Sequence, residues 1–409
     1  MVSIDSVRGR IALCTGHVAG MIDLAALPFW VGGLVSHYAF SPQQAGGLAT
    51  LFLVGVVASS LFWSARFHRV SSNLPVPAGY FVSAACFFAI AYSDDFRLLA
   101  ALHAVGGLAT GMGLSFTHGT IGRSRSPHRL FGMAQISLGL SAVVFVGVVP
   151  PLIETLGAQS VFLVIGAIML LAGAVTSAAF PGRGEVRLEH HQAKASMRFP
   201  AEVWFGIGCI ALMSLLQAML FSFVERMGVE YHGFTAAQVA SVLLVTAILN
   251  LAPGLVAMAL QNRIAPPTVM LLGPSLQIGF ALLMVSVGTF PAYFLAVAIY
   301  PCLIVFTHVF AFGFFAQREP SGRAVAATPA MNMLGSAIGP MLGGVIVQQF
   351  GYQSLALGAV LIGSAALLCA LQVARRVREG ATTTTASGLL PQREAAAPYG
   401  MASDADDRI

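Results

Sequence analysis

The chain has 409 residues, of which 57% are hydrophobic and only 9% charged, with a mean hydropathy of +0.82. A water-soluble fold of this size needs far more charge on its surface, so the composition excludes one and points to an integral membrane protein. The formal net charge of +5 comes from arginines in short polar segments between apolar runs, a distribution that calls for no nucleic-acid partner.

A helix needs about 20 apolar residues to cross the hydrocarbon of a bilayer. Runs of that kind predict about twelve spans, near residues 10–34, 44–65, 74–93, 97–119, 131–153, 160–180, 203–225, 236–260, 267–288, 292–315, 326–349 and 353–374. A β-barrel would instead show short alternating segments. The first run is too long for a cleavable signal and lacks a small-residue cleavage site, so it is expected to stay in the protein.

Lysine and arginine are retained on the cytoplasmic side of a membrane. With the N-terminus inside, Arg8 and Arg10, Arg66 and Arg69, Arg123, Arg125 and Arg129, the basic segment 183–198, Arg263, Arg318 and Arg323 and the C-terminal arginines all fall on that side. Only Arg97 and Arg226, of 21 basic residues, do not. Both termini are therefore expected to be cytoplasmic, in a plasma (inner) membrane. The five cysteines lie within predicted spans without CxxC spacing, which predicts packed thiols rather than disulfides or a metal site. Residues 379–409 are of low complexity and read as a disordered cytoplasmic tail.

The chain repeats itself. "FSPQQAGGLATLFLVGV" from Phe40 aligns with "FTAAQVASVLLVTAILN" from Phe234, an offset of 194 residues (234 − 40 = 194). The same offset pairs Gln44 with Gln238, Arg69 with Arg263, Phe96 with Phe290, Arg129 with Arg323, and "GAQS" at Gly157 with "GYQS" at Gly351. Matching loop residues carry more weight than matching apolar ones. The fold expected is an all-α membrane protein of 12 transmembrane helices in two pseudo-symmetric six-helix halves, 1–180 and 203–378, joined by a polar linker at 181–202. Parallel halves of this kind hold their solute between them, near the middle of the membrane.

Ionisable groups inside spans are costly, roughly 2.5 to 3.5 kcal/mol for Asp at a helix centre. Asp23, in "GMIDLAALPFW", is the one carboxylate near the middle of a span. On a helical wheel it shares a face with Gly16, Ala19, Gly20, Ala26, Leu27 and Trp30, which places it toward the bundle interior with Trp30 on the cavity side. Its repeat mate is Gln217. The span histidines are His17, His103, His118 and His308; His118, near the inner end of its helix, reads as solvated, and His103 and His308 as either proton contacts or histidines satisfied by a neighbouring helix's backbone or hydroxyl, the second being favoured. Asn250 beside Pro253 and Asn332 beside a Gly-Pro segment are candidate cavity contacts, with Gln135 and Gln277 as further polar groups.

No lysine or arginine lies deep in a span, which favours a neutral, weakly basic or amphipathic solute. The chain has no P-loop, HExxH or nucleophile elbow, so it reads as neither nucleotide-driven nor an enzyme, and nothing in it calls for a cofactor.

These residues together resemble the major facilitator superfamily over nearly the whole chain apart from the tail. Its loop between helices 2 and 3, Gly-x-Leu-Ala-Asp-Arg-x-Gly-Arg, is matched by "LFWSARFHR" at 61–69, which keeps Arg66 and Arg69 of a cytoplasmic gate but has Ala65 where the family has its acid. Gly335, Gly339, Pro340, Gly343 and Gly344 match a Gly-Pro motif that exporters carry in helix 5; here it stands in helix 11, where a packing role is expected. The resemblance implies two halves rocking around a central cavity. It also implies proton coupling through an acid in helix 1, here Asp23, and places His103 near the family's helix 4 arginine. The resulting expectation is a monomeric, proton-coupled carrier of a small organic solute, with export favoured over uptake by symport. A non-transporting membrane sensor is the reading from another class.

Overall fold

The structure is a computed structural model that describes residues 2–36, 38, 40, 42–182 and 199–387. Most of the linker, 183–198, and the end of the tail, 388–409, lie outside the described residues. Among the described residues every regular element is a helix.

Twelve spanning units follow one another. Span 1 is two helices, Val7–Met21 and Asp23–Ser36, which meet at Ile22. Spans 2 to 6 are Pro42–Arg66, Pro75–Ala91, Phe96–Gly122, Pro127–Leu156 and Ser160–Ala179. Span 7 is Ala201–Phe221, followed by the short helix Val224–Arg226 and a π-turn at Met227–Tyr231. Span 8 is again divided, into Ala236–Leu249 and Ala252–Leu260. Spans 9 and 10 are Pro266–Ser286 and Phe290–Arg318, span 11 is Arg323–Ala326 with Thr328–Phe350, and span 12 is Ser354–Ser387. Span 12 thus runs on past Arg378, where the helical half was expected to end. Ten of these stretches are long and apolar enough to cross a membrane, and Pro75–Ala91 is a shorter apolar helix.

Local chemistry explains where helices start. Ser6 accepts from the Gly9 N–H at 3.1 Å, Asp95 accepts from Arg97 and Leu98, and Thr235 forms a capping box with Gln238. Proline occupies the first turn of spans 3, 5, 9 and 10, where its missing N–H costs nothing.

The repeat is visible in the fold. Val7, Pro42, Phe96 and Ser160 begin helices, and so do Ala201, Ala236, Phe290 and Ser354, each 194 residues later (201 − 7 = 194). Gly157 and Gly351, at φ 88° and 81°, end spans 5 and 11 in the left-handed region that favours glycine. The pair packing repeats as well: Gly79 lies against Gly113 and Ala109, and Gly273 against Thr307, the residue at the position of Gly113.

The halves meet at the end of the bundle that carries the arginines. There span 2 packs on span 11, span 4 on spans 10 and 11, and span 5 on spans 8 and 10. The Ser115 hydroxyl donates to the Ala326 carbonyl at 2.8 Å, and the Phe131 and Phe312 rings stack with centroids 3.8 Å apart. The two parts of span 8 differ. Ala252–Leu260 packs on span 5 of the first half, whereas Ala236–Leu249 packs chiefly on span 10 of its own half. Asp23–Ser36 likewise packs on spans 2, 5 and 6 of its own half. The bundle is joined at the arginine-rich end and parted toward the other.

Candidate functional site

A cavity of about 280 Å³ lies between the halves, just above the joined layer. Span 1 contributes Met21 and span 5 contributes Gln135, Leu138, Gly139 and Ala142. The second half supplies Ser214, Gln217, Asn250, His308, Asn332 and Ser336. Four of the sequence-derived candidates, Gln217, Asn250, His308 and Asn332, are thus brought to one wall, facing Gln135.

That wall is internally ordered. Ser214 donates to Asn332 Oδ1 at 3.0 Å, and the Asn332 amide nitrogen lies 2.9 Å from His308 Nδ1. An amide NH2 can only donate, so Nδ1 accepts and a neutral His308 carries its proton on Nε2. Asn250 stands at the break of span 8, where the helix Ala236–Leu249 ends. The Gln217 Oε1 atom is buried without a hydrogen-bond partner. Gln277, by contrast, donates to the Met213 carbonyl at 3.0 Å and ties span 9 to span 7.

Asp23 is buried, with 3% of its surface exposed. It opens the second helix of span 1, where the N-terminal dipole favours a carboxylate. It does not itself line the cavity; Met21, just before the break, does.

Trp30 and His103 come together, but away from the cavity. The Trp30 indole N–H donates to His103 Nε2 at 3.0 Å, and His103 Nδ1 lies 2.7 Å from the Leu99 carbonyl. Phe52, Phe87 and Phe162 surround the indole edge-on. Both imidazole nitrogens are matched in the neutral form, since indole only donates and a carbonyl only accepts. Trp30 is therefore a core residue of the first half rather than a cavity residue, and His103 is its partner. The Trp30 side of span 1 is covered by Phe52, Phe87 and Phe162 of spans 2, 3 and 6, so the indole faces its own half.

The helical pattern did not bring out a second histidine group. His17 Nδ1 and His118 Nε2 are 2.8 Å apart, with rings stacked at 5.1 Å. His17 Nε2 lies 3.3 Å from Gln135 Oε1, and His118 Nδ1 lies 2.7 Å from Thr328 Oγ1 across the two halves. Both histidines are fully buried, so His118 is not solvated: the joined layer covers it with Phe131 and Phe312. Nothing local in the sequence signals this pair, because its members are 101 residues apart.

At the arginine-rich end, Arg66 and Arg69 are exposed and bond within their own segment. Arg66 donates to the Phe62 carbonyl at 3.2 Å and Arg69 to His68 at 3.2 Å. The arginine that reaches the other half is Arg123, which donates to the Ser321 carbonyl through Nε at 3.2 Å and Nη2 at 3.0 Å. With Ala65 in place of an acid, the 61–69 loop has no carboxylate to direct its arginines across. The Gly-Pro segment packs closely: a Cβ at Gly339 would meet Ala218 Cβ at 2.6 Å, and one at Gly343 the Met219 carbonyl at 2.7 Å. Gly335 meets Leu215 and Ser214 in the same way, whereas Gly344 only touches Phe223 and Pro340 lies inside the helix.

The sequence model of the Major Facilitator Superfamily matches residues 13–321. The chain belongs to the major facilitator superfamily. Solved transporters of this superfamily share its fold. FucP in the outward conformation superposes with a TM-score of 0.70 at 16% identity, covering 89% of this chain and 98% of that one. A variant of the E. coli fucose:proton symporter FucP gives 0.69 at 16% identity, covering 90% and 98%. The human organic anion transporter MFSD10 (TETRAN) gives 0.65 at 13%, covering 90% and 99%. No curated protein matches the sequence. The chain is therefore a multi-pass membrane transporter of this superfamily, with its halves joined on one side of a central polar cavity.

Proposed function

We propose that this superfamily member is a proton-coupled secondary transporter that moves a small, uncharged or weakly basic organic solute by alternating access. It would lie in the plasma membrane with both termini cytoplasmic and act as a monomer. The observation that carries the solute site is the Gln217 Oε1 atom, buried at the cavity wall without a donor. A buried acceptor left unmatched costs about 1–3 kcal/mol, which a solute hydroxyl or amide N–H would offset. His308 Nε2, Asn250 and Gln135 supply further hydrogen-bonding groups around it, and no lysine or arginine lines the cavity. Asp23 is the proposed proton carrier, supported by its burial within a span next to the cavity wall. In this reading the outermost arginines anchor the cytoplasmic ends, and Arg123 rather than Arg66 or Arg69 fastens the cytoplasmic side.

Two directions of transport have support. Export follows from the absence of a fixed cation in the cavity and the resemblance of 335–344 to the exporter motif. Uptake by symport is favoured by the amide-rich wall and by the fold shared with a fucose:proton symporter. The packing of Gly339 and Gly343 on span 7 gives that motif a structural use that is independent of direction. The test is a solute screen in proteoliposomes under imposed pH gradients of either sign. A transporter moves protons when its solute is supplied, and the gradient that drives accumulation gives the direction. A solute that binds but moves neither itself nor protons would turn the reading to a sensor.

A further inference from the structure

The hydrogen-bond chain Gln135–His17–His118–Thr328 runs from the cavity wall to the joined layer, and its protons can be counted. The Thr328 hydroxyl donates to the Val325 carbonyl at 2.8 Å, so toward His118 it accepts, and His118 Nδ1 carries a hydrogen. A neutral His118 then presents a bare Nε2, which accepts from His17 Nδ1 at 2.8 Å. A neutral His17 is left with a bare Nε2 facing Gln135 Oε1 at 3.3 Å, acceptor against acceptor. With the Gln135 oxygen toward His17 the chain ends on an oxygen acceptor at both sides and is matched only with one added proton, whereas with the amide turned over it is matched in the neutral form.

We propose that the His17–His118 pair is a one-proton binding site that couples the charge of the joined layer to the solute cavity. One proton from water adds to His17 Nε2, which then donates to Gln135 Oε1, and every nitrogen and oxygen in the chain is matched. When the proton leaves, the Gln135 amide turns over so that its NH2 donates to the bare nitrogen, since the two amide orientations differ only in their hydrogen-bond partners. Gln135 lines the cavity, so the turn changes the group it offers to a solute. A second proton would place two charges on rings stacked at 5.1 Å, which like-charge repulsion opposes. At the other end, His118 holds Thr328 of the second half, so parting the joined layer removes the acceptor of Nδ1 and releases the register of the whole chain.

The groups around the pair are known. His308 of span 10 shares the Phe131 ring with both histidines. From span 3 the Tyr80 hydroxyl bonds to the Gly16 carbonyl at 2.6 Å. Span 5 presents Gln135 and Phe131, span 10 also Phe312, and span 11 Thr328. Cys14 and Asp23 lie on span 1 itself, and Arg123, further along span 4, is bonded to Ser321. Among the described residues no carboxylate is a hydrogen-bond partner of the pair, which separates this site from Asp23.

The inference rests on the transporter reading for its coupling role, but the proton site itself can be tested without any solute. Nitrogen NMR of the full-length protein in lipid nanodiscs, with isotope-labelled histidines, reads the state of each ring as pH is lowered. The expected result is that His17 and His118 change together and take up one proton between them. Two rings that titrate separately, or a pair that stays uncharged wherever the protein is folded, would overturn the proposal. In proteoliposomes, His118→Gln should abolish solute-driven proton uptake while solute exchange persists, and full proton uptake in that variant would also overturn it. If the wild-type chain moves no solute at all, the transporter reading fails while the NMR titration still decides the pair.

Discussion

Two buried histidine groups in the first half look alike in composition and differ in bookkeeping of protons. In the Trp30–His103 group, indole donates to one ring nitrogen and the Leu99 carbonyl accepts from the other, so the neutral form is complete. In the His17–His118 group one end is the Gln135 amide, which can offer either its oxygen or its NH2, so the pair has a matched form both with and without one added proton. Burial does not separate the two, because all three rings are fully buried. The identity of the end groups does. A histidine capped by a fixed donor and a fixed acceptor has one matched form, whereas a pair that ends on an amide able to turn over can take up or give back a proton and stay matched.

The sharpest way to break this comparison is to remove one ring from each group. His17→Gln is expected to abolish solute-driven proton uptake, whereas His103→Gln should leave uptake intact; proton flux in proteoliposomes checks both. Loss of uptake in the His103 variant, with a folded protein, would erase the distinction. Next in size, Trp30→Phe keeps the packing but leaves His103 Nε2 without its donor, which should cost about 1–3 kcal/mol and appear as a lower thermal midpoint with transport retained. Gln217→Ala should raise the KM for the solute about tenfold, the equivalent of about 1.4 kcal/mol, with little change in folded stability. Smallest of all, Arg69→Ala should change thermal stability by no more than about 0.5 kcal/mol, because Arg69 is exposed and its side chain bonds to its exposed neighbour His68.

Much of the architecture is legible in the sequence. The offset that pairs Phe40 with Phe234 also sets the helix starts, because the turn residues that end one span and begin the next are the ones retained in both halves. Gln217, Asn250, His308 and Asn332 could be singled out because polar groups in apolar spans are few. A helical wheel gives the side of span 1 on which Trp30 stands but not which helices cover that side, and Phe52, Phe87 and Phe162 of spans 2, 3 and 6 cover it. His118 reads as solvated when its helix is taken alone. In the fold Phe131 and Phe312 cover it and it bonds to Thr328, 210 residues away, in a half of the protein that only tertiary packing brings near. The Arg66 and Arg69 pair carries a family signature without the acid that would give it a cross-half partner, and Arg123 makes that contact from a neighbouring loop.

The central claim is that solute and proton move together through one cavity between the halves. The most direct measurement is solute-driven proton flux in proteoliposomes holding the wild-type chain or Asp23→Asn. The account predicts that wild-type protein accumulates solute under an imposed pH gradient and moves protons when solute is added. Asp23→Asn should lose accumulation and proton flux while still exchanging labelled solute across the membrane. Full gradient-driven accumulation by Asp23→Asn, or solute transport by the wild type with no accompanying proton, would contradict it.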